Sequence, residues 1–219
     1  MANLLLDDLD RELDSRGHRF CRYADDCNIY VRSLAAGQRV MDSVVRFLEG
    51  KLKLRVNREK SAVAPVRDRK FLGHRLLLNG KLGISPKSVN RAKEKIRQIT
   101  RRNRGVSFAQ VIVELNSFLV GWLAFYRLAA FRGELQRMEE WMRRKLRCYR
   151  LKQRKRGRSI FGFLRKLGVP AKQAGRLASS GKGLWRLSNS PQLNSAMSKD
   201  WFAAQGLVSL LTKYDSFHH

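Results

Sequence analysis

Apolar positions follow two different periods along the chain, and the change from one to the other organises it. Leu5, Leu6, Leu9 and Leu13 recur at helical spacing with Gly17 as a stop, predicting a helix over Met1 to Ser15. Asp7, Asp8, Asp10 and Glu12 are expected on its solvated face. "HRFCRY" and "CNIYV" then predict two short strands joined at "ADD", a tight hairpin. A second helix carries the stripe Val40, Met41, Val44, Val45, Phe47, Leu48 and Leu52. Leu52, Leu54 and Val56 alternate before a turn at Asn57. Asn79-Gly80, between apolar runs, is the strongest short hairpin signal in the chain.

From Ser85 the period becomes 3.6 and stays there. One helix opens with Ser85 as N-cap and Pro86 at its first position, and another with Ser107 and Gln110 as a capping box. "GELQRMEEWMRRKLRCYRLKQRKRGR" predicts a third, ending near Gly157. Shorter helices are expected around Phe161–Leu167 and Ala171–Ala178. "SGKGLWRLSNSPQL" reads as a loop leading to one or two last short helices before Tyr214. The pattern is α+β up to a boundary near residue 83 and all-α beyond it.

Charge sharpens that division. The net charge is +28, with 12 Lys/Arg against 10 Asp/Glu in residues 1–60 and 34 against 8 in residues 61–219. A field of this sign attracts polyanions, which makes nucleic acid the leading partner and a membrane surface its rival. The longest apolar candidate, Ser117 to Phe131, falls short of the roughly 20 residues of a membrane span and contains Arg127. No membrane partner is expected. "MANLLLDDLDREL" has an acidic flank, unlike a signal peptide. Cys21, Cys27 and Cys148 are an odd, scattered set, suited to a reducing cytosol and without zinc-site spacing.

Asp25 and Asp26 are the candidate chemistry. Adjacent ionised carboxylates repel unless a cation lies between them, and Mg²⁺ takes such hard oxygen donors. Two divalent ions bracketing an attacking and a leaving oxygen would serve phosphoryl transfer. The competing reading is that Asp-Asp is simply a favoured turn dipeptide. Tyr23 favours the first, because Tyr-Ala-Asp-Asp is similar to the signature loop of the reverse-transcriptase palm.

The resemblance extends further. "ANLLLDDLDRELDSRGHRFCRYADDCNIYV", "LRVNREKS", "KFLGHRL", "LNSFLVGWLAFYR", "RRKLRCYRLKQRKRG" and "GLWRLSNSPQLNSAM" occur in the order found in bacterial group II intron-encoded reverse transcriptase/maturases. The chain resembles the C-terminal part of that family. The resemblance implies a truncated palm of β-hairpins with helices over residues 1–82, then an all-α thumb and maturase-specific domain X over residues 83–219. It makes Asp25 and Asp26 catalytic Mg²⁺ ligands, with two ions in the complete family site, and places Tyr23, Phe71, Leu72 and Gly73 near primer and template. Gly73 has a second reading as a strand glycine marking a bulge or close approach. Lys60 becomes a candidate pyrophosphate contact, with an ordinary salt bridge as the alternative. The implied partners are group II intron RNA and an RNA–DNA or RNA template–primer, in the bacterial cytoplasm.

The family also uses a further Asp on an earlier palm strand, and fingers. No Asp before the hairpin has that strand context, so polymerase inactivity of this chain alone is the expectation. A separately encoded fingers/palm fragment is a candidate partner. A non-catalytic maturase module assisting splicing is the alternative function.

Ten cationic residues without an acid lie between Arg143 and Arg158: Arg143, Arg144, Lys145, Arg147, Arg150, Lys152, Arg154, Lys155, Arg156 and Arg158. They are expected to contact RNA phosphates, with Trp141, Lys145 and Tyr149 along a strip and charge around most of the remaining helix circumference. Trp122, Phe125 and Tyr126 are expected in the core, Gly121 allowing close helix approach, with Trp185 and Trp201 pinning the tail.

Overall fold

The computed structural model describes residues 2–218. The chain is α+β and divides into two compact units, Met1–Ser85 and Pro86–His219.

The first unit begins with α1 (Ala2–Ser15). Gly17 takes φ +68°, and the amide of His18 donates to the Leu13 carbonyl at 3.0 Å, so the predicted glycine stop ends the helix. Leu9 and Leu13 are buried, whereas Leu5 is half exposed. Strands β1 (Arg19–Tyr23) and β2 (Asp26–Tyr30) form an antiparallel hairpin in which Tyr23 faces Asp26 and Arg22 faces Cys27. Helix α2 (Leu34–Arg46) is capped by the Ser33 hydroxyl, which accepts from the Ala36 amide, and widens into a π-type turn over Phe47–Lys51. Gly37 is required on α2, because a Cβ there would lie 2.5 Å from Val63 Cγ1.

Leu52, Leu54 and Val56 alternate between half-buried and exposed neighbours but pair with no strand, since alternation alone supplies no ladder partner. The chain does turn at Asn57, whose carbonyl accepts from the Ser61 amide at 3.0 Å. β3 (His74–Leu76) and β4 (Leu82–Ile84) form the second hairpin, turning through Asn79 and Gly80 at φ +75°. Only Leu9, Leu13 and Ile84 in this unit are buried apolar side chains among the described residues. The α2 stripe is half buried throughout.

The second unit holds nearly all of the buried core. Its long helices are α3 (Pro86–Ile99), α4 (Phe108–Phe125) and α5 (Arg132–Gln153). Pro86 opens α3 as predicted, and the Ser107 hydroxyl caps α4 by accepting from the Gln110 amide at 3.1 Å. The Gln110 side chain turns to Glu114 instead of closing the capping box. Among the described residues, α4 alone is long and apolar enough to cross a membrane, because the apolar run begins at Phe108, earlier than the sequence expectation placed it. Within this unit its Leu115, Leu119 and Leu123 are fully buried, as in the central helix of a bundle. Tyr126 joins the core, but Phe125 is 59% exposed, and a Cβ at Gly121 would meet open space, so that glycine mediates no close helix approach.

Helix α5 ends at Gln153, earlier than predicted, because Lys155 turns the chain at φ +61°. Gly157 then begins α6 (Gly157–Lys166), where a Cβ would stand 2.8 Å from the Ala178 carbonyl oxygen of α7 (Ala171–Ala178). The segment expected to be a loop contains two short helices, α8 (Leu184–Leu187) and α9 (Pro191–Ala196), because Leu187 and Leu193 are drawn into the core. Two further helices follow, α10 (Lys199–Ala204) and α11 (Leu210–Asp215).

A buried carboxylate ties α5 to α11. Glu139 is 2% exposed; its Oε1 accepts from the Ser209 hydroxyl and the Leu211 amide at 3.1 and 3.2 Å and from the Leu210 amide, while Oε2 accepts from Arg143 at 2.9 Å. The negative end thus meets a helix N-terminus and a cation. Replacing Glu139 by Ala strands Arg143 and the α11 amides together. The expected loss is about 3 kcal/mol of unfolding free energy, read as a lower urea midpoint, with Glu139→Gln milder.

Candidate functional site

Asp25 and Asp26 stand at the end of the β1–β2 hairpin, on opposite sides of a strand boundary. Asp26 is the first residue of β2 and Asp25 is the second residue of the two-residue turn. Ala24, the first, has φ +53°, a left-handed conformation that costs a non-glycine residue about 1 kcal/mol. What holds it is Arg22. That side chain donates Nε to Asp10 Oδ1 at 2.7 Å and Nη1 to the Ala24 carbonyl at 2.9 Å, with Nη2 also on Asp10. The turn is therefore clamped to α1 by a guanidinium with a carboxylate on one side and a strained peptide on the other. Asp10, expected on a solvated face, is instead half buried as the anchor of this clamp.

Strand alternation separates the two faces of the hairpin. Arg22 and Cys27 are cross-strand partners on the half-buried face, and Tyr23 and Asp26 on the open one. Tyr23 is 63% exposed, and Asp25 and Asp26 are both exposed. Burial pushes the Cys27 thiol up to about 11, with Asp10 adding to the shift. The Arg22 guanidinium is raised above its ordinary value by its hydrogen bond to Asp10.

Phe71, Leu72 and Gly73 form a tight turn, not a strand as one sequence reading had Gly73. The Phe71 amide donates to the His74 carbonyl at 2.9 Å and the reverse bond is 2.8 Å, with Leu72 at φ +50° and Gly73 at φ +79°. Positive φ at both central positions defines this reversal, and Leu72 is a bulky residue forced into it. Lys60 is exposed in the turn after Asn57, and no carboxylate partners it among the described residues.

The ten cations of Arg143–Arg158 are not spread over an exposed cylinder. Leu146, Arg147, Cys148 and Tyr149 are consecutive buried residues, so α5 runs through the interior of its unit at that level. Arg147 is 7% exposed, donates Nε to the Ser188 carbonyl at 3.2 Å and lies 5.9 Å from the Phe202 ring centre. Burial, reinforced by Arg143 and Arg144, holds it down at about 10. Arg144 stacks 4.0 Å above Trp185 and Arg154 4.3 Å above Phe163, while Arg150 lies between Phe108 and Phe163 at 5.3 and 5.5 Å. The Nε atoms of Arg144, Arg150 and Arg154 are buried without a hydrogen-bond partner, covered by those rings. Arg143 is held by Glu139 and Lys145 is half buried. Lys152, Lys155, Arg156 and Arg158 are exposed.

The sequence matches "Reverse transcriptase (RNA-dependent DNA polymerase)" over residues 1–76 and "Group II intron, maturase-specific domain" over residues 89–168. The chain belongs to the group II intron reverse transcriptase/maturase family. No curated protein sequence matches it.

The tyrosine–alanine–aspartate–aspartate turn lies inside the reverse-transcriptase match, and α4, α5 and most of α3 lie inside the maturase-specific one. Whether the pair suits Mg²⁺ is a question of donors. Asp25 and Asp26 offer hard oxygens with no hydrogen bond or ion pair to other described residues, so neither has to be released from a partner. They are nevertheless only two, and no group of three His, Cys, Asp or Glu is gathered anywhere among the described residues. The residues fit part of a magnesium shell, the rest of which water and phosphate oxygens commonly fill.

Sequence reasoning missed Arg22, although a cation directly before a Tyr-Ala-Asp-Asp turn and an acid on the preceding helix were both visible. Arg22→Ala should leave the hairpin's strands paired but free its turn, raising amide exchange at Asp25 and Asp26 roughly tenfold. Cys27 supplies a second check. Because its folded-state value is raised, its contribution to stability is complete below the ordinary thiol range and is lost as pH rises through about 11. At pH 8 a thiol-alkylating reagent should therefore modify exposed Cys21 well before Cys27, as resolved by peptide mass spectrometry.

Proposed function

We propose that this chain contributes two carboxylates to a magnesium-dependent nucleotidyl-transfer site and a cationic helical unit that grips intron RNA and template–primer. The observation that carries the first half is the Arg22-clamped turn, which presents exposed Asp25 and Asp26 with carboxylates that have no partner among the described residues. Mg²⁺ held there would neutralise developing phosphate charge, and Asp25 and Asp26 would be its ligands. Tyr23, exposed on the same open face as Asp26, would stack on or pack against the primer–template. The Phe71–Gly73 turn would support the primer end, and Lys60 carries an uncompensated charge suited to pyrophosphate.

The second half rests on charge. Between Pro86 and His219 there are 29 Lys/Arg against 7 Asp/Glu. Glu94, Glu114, Glu134, Glu139 and Asp215 each already hold an arginine or lysine. The surplus needs outside anions, and a sugar–phosphate backbone provides them in series. Lys152, Lys155, Arg156 and Arg158 are the accessible members of the predicted cationic set, with Arg144, Lys145, Arg150 and Arg154 presenting partial faces. Arg147 is assigned a packing role.

The same donor count supports inactivity of the 219-residue chain alone. Two carboxylates are a minimal hold for two ions, so a further acid would come from a fingers/palm segment outside residues 1–219. This leaves a working alternative, in which the unit assists intron splicing without carboxylate chemistry. Three unbonded cysteines suit the reducing cytoplasm of a bacterium.

Primer extension with the purified chain, Mg²⁺ and an RNA template should give no nucleotide incorporation. Robust incorporation would overturn the inactivity. In a complemented enzyme, Asp25→Ala should abolish incorporation while leaving RNA affinity unchanged; unchanged incorporation would favour the splicing-only alternative. RNA affinity should fall by several orders of magnitude between about 50 and about 500 mM salt. A flat salt profile would remove the electrostatic basis for RNA binding.

A further inference from the structure

Several aromatic residues of the second unit keep part of a ring outward, and two of them, Trp141 and Trp185, share a cation. Trp185, on α8, is 40% exposed. Trp141, on α5, is half buried. Lys145 lies one turn further along α5 with its Nζ 5.3 Å from the Trp141 ring centre and 5.6 Å from that of Trp185, so it bridges them. Arg144 covers one part of Trp185 from 4.0 Å and donates Nη2 to the Trp185 carbonyl at 3.1 Å, fixing the short helix and its indole together. Arg97, on α3, stands 5.5 Å from the Trp141 ring. Arg102, past the end of α3, reaches the neighbouring Cys148 sulfur at 3.6 Å.

The charge balance of this cluster is one-sided. Arg97 shares a long, exposed ion pair with Glu94 at 3.2 Å. Lys145, Arg144 and Arg102 have no carboxylate partner among the described residues. Lys145 is held below its ordinary value by burial first and then by Arg97 and Arg102, with Cys148 and Glu94 offsetting part of the shift. A half-buried ammonium between two indoles, with guanidinium groups on either side, is costly to maintain for packing alone. Leucine or glutamine would fill the space without the repulsion.

Resting on the RNA-binding reading above, we propose that Trp185, Lys145 and Trp141 form a subsite for one unpaired nucleotide of RNA. The base stacks on the exposed part of the Trp185 indole, whose orientation Arg144 fixes beforehand. The adjoining phosphates take the place of the missing carboxylate at Lys145, Arg102 and Arg97. The two interactions fit single-stranded RNA specifically, because a base inside a duplex has no face to offer. The site is distinct from the exposed cations Lys152, Lys155, Arg156 and Arg158, which have no exposed indole beside them among the described residues and would take duplex and single strand alike.

The test compares the full chain and its variants on two probes at fixed salt, a short oligouridine and an RNA duplex without overhangs. Trp185→Ala should weaken oligouridine binding roughly 5- to 100-fold and leave the duplex within about twofold. Trp185→Phe, which keeps a ring for both Arg144 and a base, should restore most of the loss. Intrinsic tryptophan emission of the unmodified chain should be quenched by oligouridine, and less so in Trp185→Phe. Should Trp185→Ala lose both probes together, the residue acts through folding and the subsite is wrong. Equal oligouridine affinity in both variants and the parent also overturns it, while leaving the broader RNA reading intact. Binding of neither probe by the parent chain overturns both.

Discussion

The helical unit depends on how a strongly cationic helix can be buried. Taking a guanidinium out of water is expensive unless something replaces its hydration, and carboxylates are scarce in this unit. The replacement is aromatic faces and backbone carbonyls. Arg147 donates a hydrogen bond to the Ser188 carbonyl and Arg144 donates one to that of Trp185, so two arginines of α5 hold the carbonyl end of α8. Phe163, Phe108 and Trp185 cover the Nε atoms that no acceptor reaches. Cation–π contacts of this kind gain strength as water is excluded. Glu139, the one fully buried carboxylate among the described residues, holds Arg143 and the start of α11. Removing cations from α5 would thus loosen the scaffold as well as the charge it displays.

That dual use explains why the accessible charge lies where it does. From Arg143 to Arg150 the cations of α5 are absorbed in packing to varying degrees, and Arg154 is stacked on Phe163, whereas Lys152, Lys155, Arg156 and Arg158 are exposed. Lys155 at φ +61° breaks the helix there, so Lys152, Lys155, Arg156 and Arg158 gather around a bend instead of continuing a rod. In the first unit the same residue type does different work. Arg22 positions a turn, and the carboxylates of the two acids it presents stay exposed and without a partner among the described residues, because the clamp uses Asp10 instead. With three buried apolar side chains among the described residues, that unit leans on such polar fastenings more than on a core.

Much of this was legible in the sequence. Gly17, Ser107, Pro86 and Asn79-Gly80 act locally, through dihedral freedom or a cap within three residues, and each appears where its chemistry placed it. The Asp25-Asp26 turn was equally local. What stayed hidden depends on partners distant in sequence. Arg147 looks like a surface cation until Ser188 and Phe202 are folded beside it, and Asp10 looks solvated until Arg22 arrives. The left-handed Ala24 and Leu72 have no sequence signature, because neither residue type favours the conformation. Phe125 and Gly121 misled in the other direction: both suggest close packing, yet their side of α4 stays open.

The central claim is that the helical unit carries RNA on the cations its packing leaves exposed. Photocrosslinking the full chain to 4-thiouridine-substituted intron RNA, followed by peptide mapping, addresses it directly. The account predicts adducts on peptides spanning Lys152–Arg158 and Trp185, and none at Arg147. Adducts concentrated on the exposed parts of α4, such as Val113 and Phe125, with Lys152–Arg158 and Trp185 untouched, would contradict it.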